Sequence, residues 1–138
     1  MSEKYRTAAS NSTSEPGVSR VDDGMTVHVS SPLNPDRDMD ATNPEQLLAL
    51  AWATCLNSTA QAVTARKHRT AVRVEIVLRD ASEGSGYEFA VDAYLSVEGA
   101  SPEETERVLE QAHARCPISK LLRSATTVAV HGEPYAVD

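Results

Sequence analysis

The sequence of 138 residues has few cysteines, few aromatic residues and no long apolar run. Its two cysteines are too few for the disulfide framework of a small secreted domain, so we expect thiols that serve packing, metal binding or redox chemistry. No stretch of about 18 apolar residues occurs, so no membrane span is predicted. Aromatic residues make up only 4% of the chain, which gives no indication of a site for a flat aromatic cofactor.

Positive charge is also scarce, because 13 Lys and Arg residues stand against 20 Asp and Glu residues. A general nucleic-acid-binding protein carries a basic surface instead, so we expect no nucleic-acid partner. The polar N-terminal stretch lacks the apolar segment of a secretory signal, which predicts a cytoplasmic protein. The length fits a single domain over residues 1–138.

The pattern of apolar residues, turns and helix caps predicts an α+β fold. Residues 1–15 either fray or add an edge strand, and two short strands then meet at a turn over 22–24. A loop over 31–42 precedes a long helix from Pro44 to Val63, which is followed by a two-stranded hairpin. Two helices separated at Pro117 and a closing strand over 126–130 complete the order. Because strands and helices do not alternate regularly, the sheet should be mostly antiparallel.

Cys55 lies in the middle of the least polar segment of the chain. Apolar residues occupy all faces of the predicted helix around it, so this helix should be central in the fold. A buried free cysteine is commonly a small packing residue. A nucleophile that needs a dry pocket would fit the same position, and the segment alone leaves both interpretations open.

Cys116 stands directly before Pro117, at the predicted break between two helices. A thiol near a helix N-terminus is favoured as thiolate, and the alternative is an incidental surface thiol. His113 could contribute to a metal site or act as a base for a thiol nucleophile. No standard zinc spacing, hydrolase signature or Gly-rich phosphate loop is present, so we expect no metal and no phosphate site.

Two charged residues, Arg37 and Glu45, flank the start of the long helix. Taken singly they fit a solvated loop charge and an acid that complements the helix dipole. Together they could form an ion pair beside a thiolate, with the guanidinium stabilising the anion and the carboxylate orienting the guanidinium. Arg20 is a second cationic candidate, and composition alone does not choose between the arginines.

The segments TNPEQLLALAWATC (Thr42–Cys55) and CPISKLLRSA (Cys116–Ala125) together resemble the OsmC/Ohr family. Glu45 precedes Cys55 by ten residues, as in that family, and Cys116–Ser119 matches the Cys-Pro-x-Ser context of its second cysteine. The resemblance implies an OsmC-like α+β fold whose mostly antiparallel sheets wrap two central helices. It also implies an intertwined homodimer with active sites at the subunit interface.

The resemblance implies a thiol-dependent organic hydroperoxide reductase. Cys55 would attack the peroxide as a thiolate and become a sulfenic acid, and Cys116 would then close a disulfide with it. An external dithiol, typically a lipoylated protein, would reduce this disulfide, and no bound cofactor is implied. Glu45 and an arginine would hold the thiolate and the peroxide. Arg37 lies nearest to the arginine of the OsmC branch, and Arg20 is a looser match to that of the Ohr branch.

The apolar helix offers candidates for a site that holds the organic part of the substrate, namely Leu48, Trp52 and Leu56. The alternative is that these residues belong to the core or to a dimer interface. Ten helical residues span about 15 Å, so Glu45 and Cys55 cannot share one compact site on a straight helix. We therefore expect Glu45 of one subunit to serve Cys55 of the other.

Two other functions remain open for the same sequence. One is a non-catalytic dimer of this fold that binds a small apolar ligand, with both cysteines as packing residues. The other is a thiol hydrolase, which would need only one cysteine.

Overall fold

The computed structural model describes residues 1–136. Its elements are β1 (Ala9–Asn11), β2 (Val18–Val21), β3 (Thr26–His28), α1 (Pro44–Val63), β4 (Thr70–Asp80), β5 (Tyr87–Val97), α2 (Pro102–Arg115), α3 (Pro117–Leu122) and β6 (Val128–Gly132). This order confirms the predicted series of strands and helices, including the edge strand. By internal contacts the chain divides into two compact units, Met1–Pro44 and Glu45–Asp138.

The first unit contains a three-stranded antiparallel sheet in the order β1-β2-β3. The predicted turn between β2 and β3 is confirmed, and Asp23 adopts a φ of 54° there. This left-handed conformation is tolerated by Asp because its short side chain can hydrogen-bond locally. The segment after β3 forms turns rather than a helix or strand, with one isolated bridge between Val29 and Thr42, which confirms the predicted loop.

The second unit contains a three-stranded sheet in the order β4-β5-β6. The β4–β5 hairpin is antiparallel, as predicted, with Thr70 opposite Val97. The prediction for the last strand needs correction, because Thr126 and Thr127 form a turn and β6 begins at Val128. β6 also lies parallel to β5. A parallel neighbour requires a crossover connection, and α2 and α3 supply it.

The core of the second unit lies between α1, the inner face of the sheet and α2. Fully buried residues on α1 recur every four positions, which places them on one helix face. The buried apolar side chains are Trp52, Leu56, Ala60, Val91, Ala93, Leu95, Val97, Leu109, Ala112 and Cys116. On the opposite face of α1, Leu50 is 64% exposed, so residues 1–136 leave that side of the helix open. The expectation of a helix buried on all faces is therefore not met by the single chain.

Neither α1 nor any other helix within residues 1–136 is long and apolar enough to cross a membrane. α1 begins at Pro44, as the sequence predicts, and Glu45 occupies its first turn. α2 begins with a capping box, in which the Ser101 hydroxyl accepts a hydrogen bond from the Glu104 amide at 3.2 Å. These local signals fix both helix starts.

Candidate active site

The structure brings the two cysteines into direct contact. Cys55, half-buried in the middle of α1, and Cys116, fully buried between α2 and α3, have Sγ atoms 3.4 Å apart. Both thiols are free. A disulfide bond is about 2.0 Å long, so the pair is reduced and lies within a short movement of bond formation.

The break between α2 and α3 determines where Cys116 points. Cys116 has an extended backbone (φ −62°, ψ 123°) and serves both as the C-cap of α2 and as the N-cap of α3. Its amide donates to the Ala112 carbonyl at 2.8 Å, which closes α2. Its Sγ accepts a hydrogen bond from the Ser119 amide at 3.5 Å, at the start of α3. The predicted position of the thiol at a helix start is thus confirmed.

Ser119, on α3, is hydrogen-bonded to α1, the helix that carries Cys55. The indole Nε1 of Trp52 on α1 donates to the Ser119 Oγ at 2.9 Å, and both side chains are fully buried. The sequence prediction gave Ser119 no role. Its position three residues after an N-cap is the signal that could have revealed it, because that residue's amide faces the cap side chain.

The surroundings of the two thiols affect their acidity in opposite directions. Burial raises the pKa of Cys55, the Ile118 amide lowers it, and the neighbouring Cys116 raises it again, so the net pKa is above the ordinary value. Burial also raises the pKa of Cys116. Hydrogen bonds from the Ser119 amide and hydroxyl, from Cys55 and from the Ile118 amide outweigh it, and the net pKa is lowered. The donors around Cys116 therefore favour its thiolate more than the single amide donor near Cys55 favours the Cys55 thiolate.

Glu45 carries a buried oxygen without a partner. Its Oε2 is inaccessible to solvent and accepts no hydrogen bond from the described residues. An unpaired carboxylate oxygen of this kind is costly unless a donor or cation reaches it. Glu45 and both cysteines belong to the second unit, whereas the two candidate arginines belong to the first.

The two arginines differ in what they contact inside the first unit. Arg20 forms an ion pair with Glu15 and donates to the Thr26 hydroxyl at 3.1 Å. The hydrogen bond and charge of Arg20 lower the pKa of Glu15. Arg37 lies in the loop before α1, and its Nη1 donates to the Pro32 carbonyl at 3.4 Å. Arg37 forms no ion pair with any residue in 1–136.

The residues predicted to contact the organic part of a substrate occupy two environments. Trp52 and Leu56 are fully buried in the core of the second unit, which favours the core alternative for both. Leu48 is half-buried on α1. A separate groove runs along the uncovered side of α1 and β4, lined by Gln46, Ala49, Leu50, Ala53 and Val74.

His113 lies in the last turn of α2 and has a buried Nδ1 with no hydrogen-bond partner among the described residues. Burial, and to a lesser degree the positive charge of Arg123, lower its pKa. His113 is therefore held neutral near pH 7. Across residues 1–136, no group of three or more His, Cys, Asp or Glu side chains is placed to hold a metal ion.

Fold and site together define an α+β protein with a reduced pair of contacting thiols, one of them at a helix start. A sequence profile of the family described as OsmC-like protein matches residues 35–131. This match covers more than half of the chain, and the chain belongs to the OsmC family. Its fold is the OsmC fold.

Individual relatives agree with this assignment. The chain is 31% identical over 139 residues to organic hydroperoxide resistance protein-like 1 of Staphylococcus epidermidis, covering 96% of this chain and 98% of the relative. It is 40% identical over 85 residues to the organic hydroperoxide resistance protein OhrA of Bacillus subtilis, covering 58% of this chain and 59% of that protein. The crystal structure of an organic hydroperoxide resistance protein from Elizabethkingia anophelis, with crystallant-derived thiocyanate bound, superposes with a TM-score of 0.85. That pair is 25% identical over 98% of this chain and 100% of the other.

Proposed function

We propose that this protein is a thiol-dependent peroxidase that reduces organic hydroperoxides to alcohols. The observation that carries the proposal is the 3.4 Å contact between the free thiols of Cys55 and Cys116. Relatives named organic hydroperoxide resistance proteins support a role in peroxide detoxification. A protein that only bound an apolar ligand would have no use for a second thiol in contact with the first.

The proposed cycle uses both sulfurs. The Cys55 thiolate attacks the distal oxygen of the hydroperoxide, the O–O bond breaks, and the alkoxide takes a proton and leaves as an alcohol. Cys55 becomes a sulfenic acid. The Cys116 thiolate then attacks the Cys55 sulfur, and the departing hydroxide takes a proton to become water. An external dithiol, for which we propose a lipoylated protein of a reducing cytoplasm, returns the disulfide to two thiols by exchange.

A cation is needed to complete the site around Cys55. Burial raises the pKa of the Cys55 thiol, so the thiolate must be stabilised by a group beyond the described contacts of the second unit. We propose Arg37 for this role, because Arg20 is already engaged by Glu15. Glu45 would orient the guanidinium through its unpartnered Oε2.

We propose that the site is built by two chains of a homodimer. Glu45 and Cys55 lie ten residues apart on α1, about 15 Å along the axis, so one helix does not bring them together. The uncovered face of α1, with Leu50 and the adjacent groove, is an apolar surface suited to a second protein chain. Leu48, half-buried on the same helix, is our candidate for contact with the organic part of the peroxide.

A stoichiometric reaction tests the proposed function. One equivalent of cumene hydroperoxide is added to reduced protein, free thiols are counted and the intact mass is measured. We expect the loss of both thiols and of about two mass units per chain, and no such change in Cys55→Ser. Unchanged thiols after prolonged exposure would contradict the peroxidase and leave the ligand-binding alternative. Loss of only the Cys55 thiol, with a gain of oxygen, would contradict the role of Cys116.

A further inference from the structure

In the hydrogen bond between Trp52 and Ser119, only Trp52 can be the donor. The indole N–H of tryptophan is a donor and never an acceptor. At 2.9 Å from Nε1, the Ser119 Oγ must therefore accept this bond. Its own O–H hydrogen remains available for donation, and it needs an acceptor because Ser119 is fully buried.

We take the sulfur of Cys116, which the Ser119 amide already contacts, as this acceptor. The Ser119 amide already donates to Cys116 Sγ at 3.5 Å, and the Ser119 hydroxyl also contributes to the lowered pKa of Cys116. Cys116 is fully buried, so water does not supply donors to a thiolate there. A buried sulfur anion is stable only where the protein provides such donors.

We propose that Ser119, held in place by Trp52, is a positioning residue that stabilises the Cys116 thiolate as it attacks the Cys55 sulfenic acid. This inference deepens the proposed peroxidase function and rests on it for its consequence. A charged Cys116 attacks the Cys55 sulfenic acid without first losing a proton. It also leaves readily when the reductant opens the Cys55–Cys116 disulfide, because a thiol of lower pKa is the better leaving group.

The test follows the ionisation of Cys116 itself. In a Cys55→Ser chain, Cys116 is the only thiol, and its ultraviolet thiolate absorbance is recorded against pH. We expect Ser119→Ala in this background to raise the midpoint by about one pH unit, the effect of losing one hydrogen bond to a charged group. Trp52→Phe removes the N–H and keeps an aromatic ring, and should raise the midpoint by less.

A matched control removes a different hydroxyl near the thiol pair. The Thr59 Oγ1 donates to the Cys55 backbone carbonyl at 2.9 Å, not to a sulfur. Thr59→Val in the Cys55→Ser chain should therefore leave the midpoint unchanged. A shift as large as that of Ser119→Ala would show a general effect of lost polarity and would overturn the proposal.

Two further variants separate ionisation from folding. Ser119→Ala leaves the Trp52 N–H buried without an acceptor, whereas the double variant Trp52→Phe/Ser119→Ala removes both partners. Ser119→Thr retains the hydroxyl and should keep the midpoint close to that of the parent chain. Thermal unfolding followed by circular dichroism identifies the folded variants. An unshifted midpoint in the folded double variant would overturn the role of Ser119.

The consequence for catalysis is measured separately, in chains that retain Cys55. After one equivalent of cumene hydroperoxide near pH 7, dimedone should trap more Cys55 sulfenic acid in Ser119→Ala than in the parent, and the excess should vanish at high pH. If dimedone trapped the same amount of sulfenic acid in Ser119→Ala and in the parent at both pH values, the proposed effect on catalysis would be contradicted. If the parent chain forms no sulfenic acid and no disulfide, the peroxidase proposal fails, while the titration still tests whether Ser119 stabilises the Cys116 thiolate.

Discussion

The two thiols lie 3.4 Å apart, yet they differ in burial and in the hydrogen-bond donors around them. Cys116 is the more buried, but donors from its own helix start outweigh burial and lower its pKa. Cys55 is less buried, and the Ile118 amide is the one contact that lowers its pKa. The direction of each pKa shift therefore follows the hydrogen-bond donors near the sulfur and not the degree of burial alone. Within residues 1–136, Cys116 has several hydrogen-bond donors, and we propose that the surroundings of Cys55 are completed by a second chain.

The largest expected effect is the recovery of peroxidase activity when a second chain supplies Glu45 to the Cys55 site. We expect Cys55→Ser and Glu45→Ala homodimers to be nearly inactive. After subunit exchange, a mixed dimer has one intact site if Glu45 acts across the interface. Half of the dimers are then mixed, so peroxidase activity should rise to about a quarter of the wild-type value.

This experiment tests whether Cys55 depends on a partner while Cys116 does not. Activity is measured with cumene hydroperoxide and a dithiol before and after exchange. As a control, Cys55→Ser chains are mixed with Cys116→Ser chains. Since both sulfurs belong to one chain, no site is restored there. Equal recovery in both mixtures, or none in the Glu45 mixture, would exclude a Glu45 that acts across the interface.

A smaller effect should distinguish the two arginines. Arg37→Gln removes the proposed cation beside Cys55 and should slow sulfenic acid formation by about tenfold or more, because a nearby opposite charge lowers a thiol pKa by about 1–3 units. Arg20→Gln removes a guanidinium already paired with Glu15 and should have little effect. The measurement is the single-turnover rate of sulfenic acid formation across pH. The ionisation of Cys116 is followed as an internal reference. If Arg20→Gln slowed sulfenic acid formation more than Arg37→Gln did, the cation beside Cys55 would be Arg20.

The smallest effect on catalysis is expected from two leucines, one on α1 and one on α3, whose replacement should change stability instead. Leu56 follows Cys55 and is fully buried, whereas Leu121 on α3 is 77% exposed. Leu56→Ala should lower the free energy of unfolding by about 2–5 kcal/mol. Leu121→Ala should change it by less than about 0.5 kcal/mol. Urea unfolding at one fixed protein concentration measures both, and equal losses would contradict the placement of Leu56 in the core.

Local signals explain why much of the fold was predictable. Pro44 and Pro117 each begin a helix, and neighbouring residues alone determine such starts. Strand propensity predicts a closing strand that begins two residues too early, because Thr126 and Thr127 are β-branched but form a turn in the structure. Its parallel pairing with β5 depends on how α2 and α3 return the chain to the sheet, which no local pattern encodes.

The site was predictable to the extent that its residues lie in recognisable segments. Cys55, Cys116 and Glu45 stand in the two segments that resemble the family. The contact of Trp52 with Ser119 joins residues 67 positions apart and exists only because α1 packs against α3. The opposite pKa shifts of the thiols likewise depend on buried donors, which composition and spacing do not reveal.

The separation of the two sulfurs along the chain has a consequence for the unfolded protein. Cys55 and Cys116 are 61 residues apart, and only α1, α2 and α3 in their folded arrangement hold them in contact. In an unfolded chain, closing a loop of this length costs entropy, so the sulfurs meet only occasionally. In the proposed mechanism, a sulfenic acid on an unfolded chain would therefore persist longer than in the folded protein, and a second peroxide would have more time to convert it to irreversible sulfinic acid. Under that proposal, folding favours the reversible disulfide over irreversible oxidation.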